Sequence, residues 1–430
     1  MSLTQVTLEE GTVRGVPCGG YTVFKGVPYA APPVGALRFL PPQPVQPWAG
    51  VYEADRFPAA CPQLPQKPGS FYEKEFYSTP ERQPRLDEDC LYLNIWTPAA
   101  DSQARLPVAF WIHGGAFDHG FGHEVEFDGE AFCRRGVILV TINYRVNIFG
   151  FFSHPWMEEN TDNLGIRDQI AALSWVREHI RAFGGDPDNI TVFGQSAGAI
   201  STQTLVSSPL ARGMISKAIF QSAGGYGTGL GARREADAAA FGTAFSQSLG
   251  AGSLDDLRAV PAAELMQKAM AFAAASGVPL PFAPVCGTPV LPAPFDTLAE
   301  SGQAADIPYL LGATRNDILA SGSVNPIQSG CIAWSQLMDR LGRRPSYVYA
   351  FRRALPGDDA GAFHSSELWY LFGTLRRCWR PFTPEDEALS AGMTDAWVHF
   401  MKQGMPDGSG HWRPCSVSDP YVQVFDIEFS

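Results

Sequence analysis

Three short runs of almost entirely apolar residues constrain the fold of this chain more than any other feature. They are Val108–Ile112, Val137–Ile142 and Ile190–Phe193. Runs of this length and composition are typical of strands that are buried on both faces, as in parallel sheets. The first run is followed by His-Gly-Gly, the second by Asn-Tyr-Arg and the third by Gly-Gln-Ser-Ala-Gly. Because the carboxyl ends of parallel strands meet at one edge of a sheet, these segments are predicted to lie close together.

A strong helical pattern separates the second run from the third. Apolar residues recur there at spacings of three and four, at Ile170, Leu173, Val176, Ile180 and Phe183. The pair Gly184-Gly185 then supplies a C-terminal stop. A strand, a helix and a strand in this order predict a mostly parallel central sheet with helical crossovers. The predicted fold class is therefore α/β, with helices flanking the sheet.

Later segments extend this sheet and add helices to it. Further strands are predicted in an N-terminal hairpin and at Ala218–Phe220, Pro308–Leu311 and Tyr347–Phe351. Residues 232–275 are rich in alanine and have helical spacing, which places a helical insertion over one end of the sheet. We therefore predict a single domain over residues 1–430, with insertions at about 225–300 and 318–345 that form a cap.

Composition excludes several classes of protein. Of 430 residues, 45% are hydrophobic and 18% are charged, which is typical of a globular chain and not of a disordered one. The formal net charge is −12, so no basic surface for nucleic acid is predicted. Neither C-x-x-C nor H-E-x-x-H occurs, and Gly227–Ala232 lacks the acidic partner of a dinucleotide fingerprint. No metal and no cofactor are predicted.

One uncharged stretch, Ala269–Phe295, could be mistaken for a membrane span. It contains six prolines, which cannot sit in a lipid-exposed helix without breaking its hydrogen bonds. We interpret it as a helix end followed by a loop that the prolines shape. The N-terminus has neither the basic nor the apolar region of a signal peptide, so a cytoplasmic location is expected, with secretion after removal of a signal as the alternative. A small molecule is the expected partner, and the sequence does not indicate an oligomeric state.

The third apolar run leads into Gly194-Gln195-Ser196-Ala197-Gly198, a G-x-S-x-G segment that opens a helix. A strand that reverses into a helix within about one residue exposes the serine hydroxyl above the sheet. Glycines two positions before and after the serine remove side chains that would collide in such a turn. Ser196 is therefore the candidate nucleophile, and the helix N-terminus would favour developing negative charge beside it. The G-x-S-x-G pattern alone is weak evidence for a nucleophile, and its position directly after a predicted strand strengthens that evidence.

The first apolar run leads directly into His113-Gly114-Gly115. Two glycines at the carboxyl end of a strand allow backbone N–H groups to be presented without obstruction by side chains. A tetrahedral oxyanion requires two or three such donors at about 3 Å. We predict an oxyanion hole formed by the N–H groups of Gly114, Gly115 and Ala197. His113 is expected to brace the loop and not to act in catalysis.

Three histidines follow Ser196 and could serve as its base, namely His364, His399 and His411. His399 lies in a helical stretch and His411 in a glycine-rich tail segment. His364 lies in the loop that follows the last predicted strand, where catalytic bases are expected. His364 is therefore the preferred base.

The acid is expected between the serine and the histidine, because a doubly wound hydrolase adds its strands in sequence and carries its triad in the order Ser, acid, His. Asp317 follows the predicted strand Pro308–Leu311 by a short interval. Its role would be to hold the tautomer of the imidazole and to stabilise the imidazolium. The alternative interpretation of Asp317 is a turn-stabilising aspartate beside Asn316.

The chain resembles the type-B carboxylesterase/cholinesterase family of α/β-hydrolases, and in particular its bacterial branch, which para-nitrobenzyl esterases typify. The resemblance runs over nearly the whole chain. Its motifs are Phe24–Tyr29, Leu37–Phe39, Glu88–Asn94, His113–Gly115, Asn143–Arg145, Asn163–Gln169, Phe183–Pro187 and Gly361–His364. As a set these motifs are very specific. The resemblance implies an α/β-hydrolase fold and ester hydrolysis.

The family's functional residues map onto positions of this chain. Its triad maps onto Ser196, Asp317 and His364, and its oxyanion hole maps onto the three N–H groups chosen above. The residue before the nucleophile maps onto Gln195, and a serine behind the triad maps onto Ser222. The resemblance also implies structural ion pairs and, in secreted members, a disulfide: Arg38 with Glu88, Arg145 with Asp168, and Cys61 with Cys90.

Four departures from the family pattern bear on the site. Gln195 stands where the family usually has Glu, which removes a charge. Asp317 stands where Glu is most often the acid, so its backbone must lie closer to His364. Cys286-Gly287 replaces the usual Asp-Gly before the proline-rich loop. The interval from acid to histidine is also short, which predicts a more open pocket on that side and tolerance for bulky substrates.

These observations predict a serine carboxylic-ester hydrolase that works through an acyl-enzyme on small to medium hydrophobic or aromatic esters. Candidate pocket residues are Phe71, Tyr72, Phe117, Phe121 and Trp369. The same triad would permit an amidase or peptidase. A non-catalytic binding module of the same fold is a further alternative, although such modules lack the serine or the histidine.

Overall fold

The computed structural model describes residues 2–158 and 161–427, and it is built around a large mixed sheet. In chain order the strands are β1 (Gln5–Thr7), β2 (Thr12–Arg14), β3 (Val16–Pro17), β4 (Thr22–Pro28), β5 (Val51–Glu53), β6 (Tyr92–Thr97), β7 (Leu106–Ile112), β8 (Ile138–Ile142), β9 (Gly185–Gln195), β10 (Lys217–Gln221), β11 (Arg233–Arg234), β12 (Val285–Cys286), β13 (Tyr309–Thr314), β14 (Ser346–Phe351) and β15 (Gln423–Phe425).

The helices connect these strands and cover the faces of the sheet. They are α1 (Glu130–Cys133), α2 (Asn147–Phe151), α3 (Leu164–His179), α4 (Ala197–Ser207), α5 (Glu235–Ser248), α6 (Leu254–Ala259), α7 (Ala262–Ser276), α8 (Phe295–Glu300), α9 (Pro326–Arg340), α10 (Leu368–Leu371) and α11 (Pro384–Gln403).

Within the described residues the main sheet has ten strands, in the order β15-β14-β13-β10-β9-β7-β8-β6-β4-β3. The seven strands β15, β14, β13, β10, β9, β7 and β8 run parallel to one another, and β6, β4 and β3 form an antiparallel extension next to β8. Val108 of β7 pairs with Ile138 of β8 and with Ile190 of β9, so the three apolar runs are neighbouring strands. The prediction of a mostly parallel α/β sheet is confirmed.

The central strands are buried on both faces, which explains their continuous apolar composition. Phe110, Trp111 and Ile112 are fully buried, and neighbours in the chain pack into two different cores on opposite sides of the sheet. The predicted helix before β9 is α3, whose last turn tightens into a 3₁₀ turn over Ile180–Phe183. Gly184 then adopts φ 82°, a left-handed conformation that ends the helix as predicted.

The predicted helical insertion contains α5, α6 and α7, and α7 packs against α2. Helix α7 ends at Gly277 in a left-handed conformation, and the proline-rich stretch continues as a loop. Within 318–345, α9 packs against β13 and β14 as the crossover between these parallel strands. The division of the chain into a body and a cap stays a prediction. No helix in the described part of the chain is long and apolar enough to cross a membrane.

Candidate active site

Ser196 occupies a sharp turn between β9 and α4. Its backbone has φ 56° and ψ −126°, a strained conformation for a residue with a side chain. A Cβ on Gly198 would lie 2.0 Å from the carbonyl oxygen of Ile112, and a Cβ on Gly194 would lie 2.4 Å from the backbone of Gly198. Glycine is therefore required at both positions, because the backbones of β7, β9 and α4 lie too close together there to leave room for a side chain. This is the geometry that the sequence predicts for a nucleophile turn.

The glycine loop after β7 lies against this turn. A Cβ on Gly114 would lie 2.8 Å from the carbonyl oxygen of Gln195 and 3.2 Å from Cβ of Ser196. Gly115 has φ 101°, where only glycine is unstrained. Gly114, Gly115 and Ala197 line the same cavity as Ser196. Their assignment as oxyanion donors stays a prediction.

His113 contacts the backbone of the glycine loop. Its side chain is fully buried, its ring stacks on Tyr144 at 4.4 Å between centroids, and its Nδ1 lies 2.8 Å from the carbonyl oxygen of Gly114. Burial lowers the pKa of His113 to about 3, so the ring is neutral. These contacts support the structural role that was expected for His113.

The predicted acid and base meet at the carboxyl edge of the sheet. Asp317 follows β13 and His364 follows β14, and the backbone of Asn316 forms a bridge with Phe363 that holds the two loops side by side. Oδ1 of Asp317 lies 2.5 Å from Nδ1 of His364. The aspartate also accepts hydrogen bonds from the backbone N–H groups of Thr314 and Ile318. These bonds fix its orientation before any substrate arrives.

His364 and Ser196 line one cavity, but the structure contains no hydrogen bond between the hydroxyl of Ser196 and the ring of His364. The partner of Nε2 of His364 is Nε2 of Gln195, at 3.2 Å. Gln195 is buried, and it is the last residue of β9. The sequence places Gln195 directly before the nucleophile and does not indicate this contact with the base.

A cluster of polar side chains lies behind the base, with Glu367 at its centre. Oε1 of Glu367 accepts weak hydrogen bonds from Ser222, at 3.5 Å, and from Gln221, at 3.4 Å. Glu367 is fully buried, and burial, together with the charge of Asp317, raises its pKa to about 7. The contact of Ser222 is thus with Glu367, and its role behind the triad stays a prediction. Sequence reasoning missed Glu367, although it is only three residues after His364 in the chain.

The cavity has a volume of about 290 Å³. Ile200, Leu230, Leu280 and Ile318 contribute its apolar side, and the rings that line it are those of Tyr72, Phe76, Tyr77, Phe117 and Phe127. Of the candidate pocket aromatics, Tyr72 and Phe117 line the cavity. Phe71 packs on Phe363, Phe121 packs edge-on against Tyr77 and Trp369 stacks on Phe76, and none of these three lines the cavity.

A second, polar side of the cavity was not predicted from the sequence. Glu124 accepts a hydrogen bond from the hydroxyl of Tyr77 at 2.8 Å, and Glu126 lies beside it. Burial raises the pKa of both carboxyl groups, and the charge of Glu124 raises that of Glu126 further. Nearby, burial opposes protonation of His119, but its hydrogen bond to Asp118 raises its pKa above the ordinary value. Such contacts between loop residues leave no periodic signal in a sequence.

Two ion pairs implied by the resemblance are present. Arg38 lies 2.6 Å from Glu88, and Arg145 lies 2.7 Å from Asp168, with the second pair almost completely buried. Arg145 also donates to the carbonyl oxygen of Leu40, which ties the N-terminal segment to α3. These pairs are confirmed.

The two cysteines that the resemblance relates to a disulfide are free thiols in the structure. Cys61 and Cys90 are both buried. Their thiols are neighbours, and a hydrogen bond between them, together with burial, raises the pKa of Cys90 well above its ordinary value. Cys90 is therefore protonated at neutral pH.

Comparison with known proteins agrees with this architecture. A sequence model of the carboxylesterase family matches residues 2–330 and 326–430. The chain therefore belongs to the carboxylesterase family, it has the α/β-hydrolase fold, and it is a carboxylic ester hydrolase.

Individual relatives cover almost the whole chain. The para-nitrobenzyl esterase of Bacillus subtilis is 35% identical, over 99% of this chain and 95% of its own length. The fumonisin B1 esterase of Sphingopyxis macrogoltabida is 33% identical, over 97% of this chain and 74% of its own length. Among solved structures, a PNB esterase superposes with a TM-score of 0.88 at 32% identity, and it covers 98% of this chain and 96% of its own.

Proposed function

We propose that this protein hydrolyses carboxylic esters through an acyl-enzyme on Ser196, with His364 as the base and Asp317 as the acid of a catalytic triad. The observation that carries the proposal is the contact of 2.5 Å between Oδ1 of Asp317 and Nδ1 of His364, at the cavity that Ser196 lines. With its proton on Nδ1, the neutral imidazole presents the lone pair of Nε2 to the hydroxyl of a substrate-bound Ser196.

The reaction then has two balanced halves. In the first, the oxygen of Ser196 bonds to the ester carbonyl carbon while its proton passes to Nε2 of His364. The tetrahedral intermediate collapses, the bond to the alkoxy oxygen breaks, and His364 returns the proton to the departing alcohol. In the second, water loses a proton to His364 and attacks the acyl carbon, and the acid leaves as Ser196 recovers its proton. The N–H groups of Gly114, Gly115 and Ala197 would stabilise the oxyanion in both halves.

The lining of the cavity supports hydrophobic and aromatic esters of small to medium size as substrates. Its rings and aliphatic side chains offer an apolar surface, and its volume of about 290 Å³ limits the ligand. Ile318 and Leu319, which begin the short segment between acid and base, are exposed to 40% and 56%. This exposure supports an open side of the pocket, where a bulky group could extend into solvent.

Replacing the nucleophile tests the proposal directly. The variant Ser196→Ala is expected to lower kcat on nitrophenyl acetate and butyrate at least about 10³-fold, and Ser196→Ala with His364→Ala little further, because triad members act as a unit. Near-normal turnover by Ser196→Ala would contradict the mechanism. Matched nitrophenyl esters and nitroanilides of the same acids separate an esterase from an amidase or peptidase. We expect the ester to be preferred.

A further inference from the structure

Nε2 of His364 has two candidate partners, the hydroxyl of Ser196 and the amide of Gln195, and in this structure it is bound to the amide. The two Nε2 atoms are 3.2 Å apart, and the side chain of Gln195 is only 3% exposed. The proton of the neutral imidazole lies on Nδ1, which faces Asp317, so Nε2 carries a lone pair. Of the two ends of the Gln195 amide, only the NH₂ group can donate to that lone pair. The NH₂ end of the Gln195 amide therefore faces the ring of His364.

From this contact we propose that Gln195 is a positioning residue that holds His364 as a neutral base in the free enzyme. The proposal rests on the proposed function. A hydrogen bond donated to the lone pair of Nε2 is lost when Nε2 takes up a proton, because the imidazolium has only donors. Gln195 therefore opposes protonation of His364 by solvent, and it keeps the base available at mildly acidic pH.

The amide differs here from a carboxylate, which has no N–H group to donate to the lone pair of Nε2. A glutamate can only accept, so it would stabilise the imidazolium at all times. The choice of Gln at this position thus shifts the balance toward the neutral base.

Other groups that face His364 set the background for this effect. On Nδ1 the facing group is Asp317, whose carboxylate favours the imidazolium. Behind the ring lies Glu367, whose charge also acts on His364. The hydroxyl of Tyr72 donates to the carbonyl oxygen of His364, at 3.4 Å, and carries no charge at neutral pH. Two carboxyl groups thus lie near the ring, and the amide of Gln195 is the neutral donor that faces Nε2.

The test is the pH dependence of kcat/KM in purified variants, with nitrophenyl butyrate as substrate. The acid limb is the fall of kcat/KM toward low pH. In Gln195→Glu it is expected to move to higher pH by about 0.5–1 unit, because the new carboxylate accepts from the imidazolium. In Gln195→Met, which removes the donor and keeps the volume, the limb is expected to move in the same direction by less. The position of the limb is measured separately from the height of the plateau.

The control is Gln66→Glu, which adds the same charge to the lining of the same cavity at a residue that makes no hydrogen bond to His364. Its acid limb is expected to stay within about 0.2 unit of that of the unmodified protein. An acid limb that does not move in Gln195→Glu or in Gln195→Met would overturn the proposal. An equal displacement in Gln66→Glu and Gln195→Glu would also overturn it, since the cause would be the general field of the cavity.

Failure of the proposed function has a different signature. If Ser196→Ala retains turnover, both the triad and the role of Gln195 are wrong. If Ser196→Ala is inactive and the acid limb stays at the same pH in the Gln195 variants, only the role of Gln195 is wrong. Should Gln195→Glu fail to fold, Gln195→Met and ¹⁵N spectra of the histidines in the unmodified protein decide, because a protonated Nε2 on His364 at pH 7 would contradict the contact.

Discussion

Asp317 and His364 are 47 residues apart in the chain, and a single hydrogen bond of 2.5 Å joins their side chains. Two neighbouring parallel strands, β13 and β14, place them there, since each residue lies in the loop after its strand. The carboxylate of Asp317 is held in turn by two backbone N–H groups. The orientation of the base is thus determined by the sheet and not by the substrate.

Asparagine at position 317 is expected to lower kcat by about 10²–10⁴-fold, because its amide would stabilise the wrong tautomer of His364. Asp317→Glu is the matched variant. It keeps the charge, but the additional methylene must fit where 2.5 Å now separates the partners, so a partial loss is expected. Steady-state kinetics on a nitrophenyl ester measure both. A loss of less than tenfold in Asp317→Asn would contradict the assignment of the acid.

Glu367 is expected to make the protein less stable as the pH rises. Burial and the charge of Asp317 raise its pKa in the folded state to about 7, above the ordinary 4.5 of an unfolded chain. The folded state therefore binds this proton more tightly, and the contribution is full below pH 4.5 and disappears as the pH rises through 7. Between pH 5 and 8 the free energy of unfolding should fall by about 2.5 kcal/mol from this group.

Urea unfolding at the two pH values measures this effect, with Glu367→Gln as the comparison. The variant cannot titrate, so its stability should change less between pH 5 and 8 than that of the unmodified protein. Equal pH dependence in the two proteins would show that Glu367 does not titrate in this range.

Alanine is expected to be incompatible with position 198. Its Cβ would lie 2.0 Å from the carbonyl oxygen of Ile112, so β7 and the nucleophile turn would have to separate. We expect Gly198→Ala to destabilise the protein by more than about 3 kcal/mol or to prevent folding. Gly392→Ala is the control, because Gly392 lies in α11 with nothing within 4 Å of a new Cβ, and it should stabilise by about 0.5–1 kcal/mol. Thermal unfolding distinguishes them, and a Gly198→Ala protein as stable as the original would refute the crowding argument.

The ion pair between Arg380 and Glu75 is expected to support the aromatic side of the cavity. Both side chains are at most 1% exposed, and Glu75 belongs to the segment Glu73–Tyr77. Arg380→Leu would leave a buried carboxylate without its cation, which costs about 3–5 kcal/mol. Arg376→Leu, which removes an arginine that is 86% exposed, should cost less than about 1 kcal/mol. Chemical unfolding compares the two, and similar small losses would show that the buried pair contributes little.

The central sheet could be predicted because burial on both faces leaves a plain signal. Val108–Ile112 is apolar throughout since both of its faces meet a core, and it lies within β7 as expected. The start of α3 was less visible. The helix begins at Leu164, and its first turns carry Asp168 and Gln169, which are polar and yet fully buried. Asp168 is compensated by Arg145 from a distant loop, so the apolar pattern is interrupted where the helix is most deeply packed.

The residues of the candidate triad could be found because strand ends converge by topology. The contact of Gln195 with His364 could not, since it depends on which rotamers the packed side chains adopt. The sequence also contains no sign that Glu124 and Glu126 line the cavity, because they lie in an irregular loop that leaves no periodic pattern. Long-range packing of irregular segments, and not secondary structure, limits what this sequence reveals of its site.

Labelling of Ser196 by a fluorophosphonate tests the central claim most directly, because the reagent reacts with an activated serine and leaves a stable adduct. Peptide mass spectrometry of the unmodified protein should find one phosphonyl group per chain, on Ser196, and His364→Ala should slow its formation by at least about 10³-fold. Absence of the adduct, or its formation on another residue while ester hydrolysis continues, would contradict the account.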